Sequence, residues 1–148
     1  MGERPSVGEG SIRYIDSLDG VTADHLRGGF FVGWPNPPLP ETHLRMLRGS
    51  SHIVLAINAE TGMAVGFVTA VSDGVLAAYI PLLEVVPDHQ QRGIGSELMR
   101  RMLAQLRNLY MVDLLCDLDL QPYYERFEMR PSTGMLLRNY DRQSGEDE

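Results

Sequence analysis

Two glycines, Gly93 and Gly95, stand where the apolar run Leu82-Leu83-Glu84-Val85-Val86-Pro87 passes through Asp88-His89-Gln90-Gln91-Arg92 into a helix-forming stretch. The start of a helix carries backbone N–H groups without partners and the positive end of the helix dipole. Positions without a Cβ let phosphate oxygens come close to those groups, so the spacing suits a diphosphate. Ser96 adds a hydroxyl to the same loop and Arg92 a charge. Taken alone, Gly-x-Gly also describes an ordinary turn before a helix. Two other phosphate loops do not fit: one needs a third glycine at fixed spacing, and the other a lysine. All thirteen basic residues of this chain are arginine.

Other reactive residues point to less. Cys116 is the only cysteine, which rules out an intrachain disulfide and a cysteine-based metal cluster. Its neighbours Leu114, Leu115 and Leu118 suit a buried, unreactive thiol. His25, His43, His52 and His89 lack metal-ligand spacing, and no metal is expected. Phe30, Phe31 and Trp34 precede the proline-rich stretch Pro35 to Pro40, either as a ligand wall or as packing for a stiff loop.

The elements that would position these residues follow from periodicity. Ser11 to Leu18 alternates as a first strand. Thr22 can cap a short helix through Leu26, which Gly28-Gly29 ends. Glu41 to Leu47 follows Pro40 as a second helix. His52 to Asn58 and Met63 to Val71 pair across Glu60-Thr61-Gly62, and Asp73-Gly74 turns into a long strand, Val75 to Val86, interrupted at Pro81. From Ile94 onward, Leu98, Met99, Met102, Leu103 and Leu106 form one apolar stripe. Met111 to Cys116 is a further strand, Gln121 to Phe127 a short helix, and Met135 to Arg138 a closing strand. The strand–helix–strand unit asks for a parallel pair, so the fold class is a mixed α/β sheet with helices on its faces.

The 148 residues fit one domain, 1–148, with flexible ends expected at 1–10 and 143–148. No apolar run reaches bilayer length and the N-terminus lacks the apolar core of a secretion signal, so a cytoplasmic protein without a membrane partner is expected. A net charge of −7 argues against a nucleic-acid partner. A homodimer is left open.

Gln90-x-x-Gly93-x-Gly95, preceded by a strand ending Val-Val-Pro, resembles the coenzyme A signature of the GNAT acetyltransferase superfamily. The element order is similar over nearly the whole chain. The resemblance implies a twisted sheet splayed between its fourth and fifth strands, with acetyl-CoA as cosubstrate in the gap. Backbone groups of Val85 and Val86 would then pair with the pantetheine arm, much as an added strand would. The N–H groups of Gln91, Arg92, Gly93, Ile94, Gly95 and Ser96 would hold the diphosphate, with Gln90 upstream. Pro122-Tyr123-Tyr124-Glu125-Arg126-Phe127 resembles the late helix whose tyrosine reaches the coenzyme sulfur. Tyr124 is the matching position, and Tyr123 should point elsewhere. The Gly-Phe pair that commonly follows is replaced here by Glu128-Met129.

On that basis the chain is expected to acetylate a primary amine by direct attack, on a small molecule rather than a protein. A coenzyme-binding module without turnover, or a protein or peptide N-acetyltransferase, is the alternative. Tyr124 would protonate the departing thiolate. Glu84, in an apolar strand beside the thioester, is a candidate base because desolvation raises a carboxylate pKa. If Leu83 and Val85 face the acceptor, alternation turns Glu84 away, unless a bulge intervenes. Asp117 and Asp119 are rivals.

Overall fold

A computed structural model describes residues 11–146. Five strands form one sheet in sequence order: β1 (Ile12–Ile15), β2 (His52–Asn58), β3 (Ala64–Ser72), β4 (Ala77–Val85) and β5 (Met111–Asp113). The first four pair antiparallel in succession. β4 and β5 run parallel and pair only from Ala77–Met111 to Tyr79–Asp113. Beyond Tyr79 the two strands part, which is the expected splay.

The apolar stripe predicted from Ile94 forms α2 (Ile94–Gln105). Leu98, Met99 and Met102 are fully buried against Val54, Ala56, Val68 and Ile80 on one face of the sheet. Truncating one of them to alanine should cost about 2–5 kcal/mol, the range for large-to-small changes in a packed core. The opposite face carries α1 (Pro40–Gly49), whose first turn holds a proline where no N–H is needed. Leu44 and Leu47 pack there with Ile53, Leu55, Phe67 and Phe31. Both faces of β2 are therefore covered, and its burial is nearly continuous.

One irregularity in β4 matters for the site. Thr69 pairs with Leu82 but Val71 with Tyr79, so Ile80 and Pro81 together face the single residue Ala70. Proline has no N–H for the ladder, and a bulge accommodates it. The bulge changes the phase of the strand. Before it Ala78 and Ile80 pack on the α2 side; after it Leu83 and Val85 do, and Leu82 packs on the α1 side.

The structure corrects two expectations about the C-terminal third. The strand expected over Met111 to Cys116 stops at Asp113, because β4 has by then diverged and offers no further partner. The closing strand expected at Met135 to Arg138 does not form: that segment has no regular secondary structure and no backbone ladder among the described residues. The short helix expected from Gln121 is α3 (Gln121–Glu125). Glu128, where the resemblance has glycine, takes φ +68°, a left-handed conformation that glycine adopts without strain.

Residues 1–10 lie outside the described residues. Within 143–146, the Gln143 Oε1 accepts the Asn36 N–H at 2.8 Å.

Candidate active site

At the strand-to-helix junction, the segment after Val86 makes a single 3-10 turn over Pro87–His89 and then reaches α2. Gln91 and Gly93 adopt φ +64° and +83°, both in the left-handed region, with Arg92 between them. Left-handed residues in such a loop turn successive N–H groups to one side and make an anion-binding concavity. For a glutamine this conformation costs about 1–3 kcal/mol, a strain that gathers at ligand clamps. Among the described residues, none of the backbone N–H groups from Gln91 to Ser96 donates a hydrogen bond. The first helical bond is Glu97 N–H to Gly93 O at 3.1 Å. Six unpaired donors thus converge at the positive end of a 12-residue helix.

The edge of β4 leads into this loop. The Val86 N–H bonds Val65 O on β3 at 2.9 Å. Alternation along an antiparallel ladder then turns the N–H and C=O of Val85 toward the gap left by β5. The Val85 carbonyl is covered there by the Gln90 side-chain amide, which donates to it at 2.9 Å. The Val86 and Ile94 side chains are buried in the core and serve packing.

A cleft of about 350 Å³ opens at the loop, lined by Val85, His89, Gln90, Gln91, Gly93 to Ser96, Tyr123 and Arg126. Arg92 is exposed outside this lining. Ser96 is buried, and its hydroxyl lies 3.2 Å from the Tyr123 hydroxyl rather than open to the loop mouth. The Arg126 guanidinium reaches the same Ser96 oxygen at 3.5 Å. A Cβ on Gly95 would stand 3.3 Å from the Tyr123 hydroxyl, so Gly95 lets α3 approach the helix start. The sequence reading expected Tyr123 to point elsewhere and gave Arg126 no role, whereas both line this cleft. Their three-residue spacing on one helical face was the available signal.

Tyr124 occupies a different face. It packs half-buried against the α2-side core and lines a second, larger cleft with Cys116, Tyr79 and Leu103. Burial, followed by the neighbouring Tyr123 and Cys116, pushes its phenol up to about 12, so it stays protonated. Cys116 is likewise raised, by burial first and then by Asp117 and Asp119, which keeps it a thiol.

Glu84 lies on the α1 side of the sheet, where the bulge at Pro81 places it. Its Oε1 accepts the Phe31 N–H at 2.8 Å. Burial raises its pKa, and the hydrogen bond opposes that shift. The structure therefore does not gather Glu84 and Tyr124 on one face: Glu84 lies on the α1 side against Phe31, and Tyr124 packs on the α2 side. The aromatic loop packs around His43, with Phe30, Phe31 and Phe67 ring centroids 4.5 to 5.2 Å from the imidazole. Among the described residues no group of three or more His, Cys, Asp or Glu is placed to hold a metal ion.

A mixed sheet parted between parallel strands, with unpaired N–H groups at a helix start beside the gap, is the fold of the coenzyme A-dependent acetyltransferases. The profile of the acetyltransferase (GNAT) family matches residues 21–129, and the chain belongs to that family. It is similar to a candidate acetyltransferase of Deinococcus radiodurans R1, with 49% identity over 100% of both chains and a TM-score of 0.89. It is also similar to the GNAT family protein SP0256 of Streptococcus pneumoniae TIGR4, with 27% identity, a TM-score of 0.67, and 87% and 98% of the two chains covered. The uncharacterized N-acetyltransferase ycf52 of Porphyra purpurea is 31% identical over 99 residues, 64% of this chain. The match spans only 56% of that relative's length.

Proposed function

We propose that the protein transfers the acetyl group of acetyl-CoA to the primary amine of a small acceptor by direct attack. The observation that carries this reading is the set of six unpaired N–H groups from Gln91 to Ser96 beside the gap in the sheet. These donors and Arg126 suit a diphosphate, and the Val85 N–H on the open edge of β4 suits an extended amide-bearing arm.

In the proposed reaction the amine nitrogen attacks the thioester carbonyl, a C–N bond forms, and the C–S bond breaks. One proton leaves the amine and one ends on the sulfur. Glu84 is proposed to receive the amine proton through Oε2 while Oε1 holds the aromatic loop, and its raised pKa suits a base. Tyr124 is proposed to donate a hydrogen bond to the departing sulfur. Complete transfer from a phenol near 12 to a thiolate of about 8.5 is uphill by about 5 kcal/mol, so Tyr124 stabilises the thiolate by its hydrogen bond and the sulfur takes its proton from solvent. Cys116, a thiol on the Tyr124 side, has no step.

The reading further takes the protein to work in the cytoplasm. No helix among the described residues is long and apolar enough to cross a membrane.

A panel of small amines, offered with acetyl-CoA and read by free thiol release, tests the reaction. Acetyl-CoA-dependent thiol release with at least one amine is expected. Tight coenzyme binding with no turnover on any amine or peptide would replace it with the binding-module reading.

A further inference from the structure

The cleft at the loop before α2 is partly occupied by the protein's own side chain. Gln90 ends the 3-10 turn with its backbone N–H on Pro87 O at 3.3 Å and an extended conformation, φ −72° and ψ 159°. From that anchored backbone the side chain folds back toward β4, and its Nε2 donates to the Val85 carbonyl at 2.9 Å. Gln90 is exposed, so this hydrogen bond rather than core packing directs the side chain.

The group it covers is a strand-edge carbonyl. β4 and β5 pair no further than Tyr79–Asp113, so β5 does not reach Val85. An N–H donated to an edge carbonyl is what a neighbouring strand would supply. Here a side-chain amide supplies it from within the same chain. Gln90 and Val85 both line the cleft, so an extended arm laid along this edge and the glutamine compete for one place.

We infer that Gln90 is a displaceable stand-in for the pantetheine arm of the coenzyme. Its amide holds the Val85 carbonyl while the cleft is empty, yields it to an amide N–H of the bound arm, and retakes it as the coenzyme leaves. The inference rests on the coenzyme reading above and gives Gln90 a role opposed to retention. The exchange replaces one amide donor by another, so the carbonyl is never left without a partner. The glutamine is tethered beside the edge, which keeps the competitor at high effective concentration whatever the ligand concentration. Affinity falls with the fraction of molecules in which the edge is covered, and an ordinary hydrogen bond makes that about 2–10-fold. The effect falls on ligands that carry the arm. The nucleotide end, held in this reading by the N–H groups of Gln91 to Ser96, escapes it.

Gln90→Met keeps the side chain's length and removes the donor. Calorimetry on the full chain with coenzyme A should give a Kd about 2–10-fold below that of wild type. Stopped-flow mixing should place the change in slower release. With 3′-phospho-ADP, the same nucleotide end without the arm, the Kd should not change. In wild-type protein, coenzyme A should also move the Gln90 side-chain amide resonances to those of a solvated amide, and 3′-phospho-ADP should not. Equal changes for both ligands would assign the glutamine to the diphosphate. A raised Kd for coenzyme A alone would make it a holder of the arm, and an unchanged Kd for both would leave the hydrogen bond without effect. Each of these results, or Gln90 amide resonances unmoved by coenzyme A, overturns the stand-in while leaving the coenzyme reading intact. Wild-type protein that does not bind coenzyme A would remove that reading and the stand-in together.

Discussion

The Glu84 carboxylate and the Phe31 N–H are 2.8 Å apart, a hydrogen bond that ties the middle of the sheet to the aromatic loop across 53 residues of sequence. Phe31 itself is held at φ +64°, a conformation uncommon for a bulky residue, and its ring is buried beside His43 and Phe67. The carboxylate thus fixes a strained turn.

Substitution separates that duty from proton transfer. Glu84→Gln retains an oxygen for the Phe31 N–H but cannot take a proton. Stability should change little while kcat falls by about 10²–10⁴-fold. Glu84→Ala leaves the Phe31 N–H unpaired and should add a loss of about 1–3 kcal/mol in denaturant unfolding. Full turnover in the glutamine variant would leave Glu84 a purely structural part.

Gly93 holds φ +83° within the run of six free donors, with open space where a Cβ would go. Gly93→Val forces a β-branched residue into that conformation, and the loop must rearrange. Calorimetry should show acetyl-CoA binding lost and the far-UV spectrum retained. Arg126→Ala should weaken binding less, and increasingly so at low salt, as expected for one exposed charge near a diphosphate.

Tyr124→Phe removes a hydroxyl and keeps the ring. Coenzyme affinity should hold while kcat falls by about 10²–10⁴-fold. Tyr123→Phe acts at a different place, because its hydroxyl lies 3.2 Å from the Ser96 hydroxyl at the start of α2. That variant should raise the coenzyme Kd and leave kcat nearly unchanged, the opposite split.

His43 supplies a pH prediction. Burial lowers its pKa from 6.5 to about 4, and its buried Nε2 has no hydrogen-bond partner. The unfolded chain takes up a proton as pH falls below 6.5, while the native imidazole stays neutral until about 4. The stability His43 contributes is therefore full above 6.5 and lost as the pH falls through this window. At about 1.4 kcal/mol per pH unit the loss approaches about 3 kcal/mol. His43→Leu should flatten the difference between unfolding free energies measured at the two ends of the window. Identical slopes in both proteins would exclude the histidine as the cause.

The sequence alone determined the parts whose physics is local. The α2 stripe, the glycines before it and the turns at Gly62 and Gly74 depend on periodicity and on neighbouring residues. Their agreement with the mixed α/β fold follows from that. The matched residues of the late helix were legible too, yet only their three-dimensional packing separated Tyr123, at the loop before α2, from Tyr124, in the other cleft. The face of Glu84 was beyond sequence reading. Alternation counted straight through β4 puts it with Ala78 and Ile80 on the α2 side, and one extra residue at Pro81 reverses that. Whether a proline in a strand is absorbed by a bulge depends on the register of β3, which is a non-local pairing. The same reason accounts for β5 ending at Asp113 and for Met135 to Arg138 standing without a ladder: β propensity marks a segment able to pair, but only the tertiary structure supplies the partner.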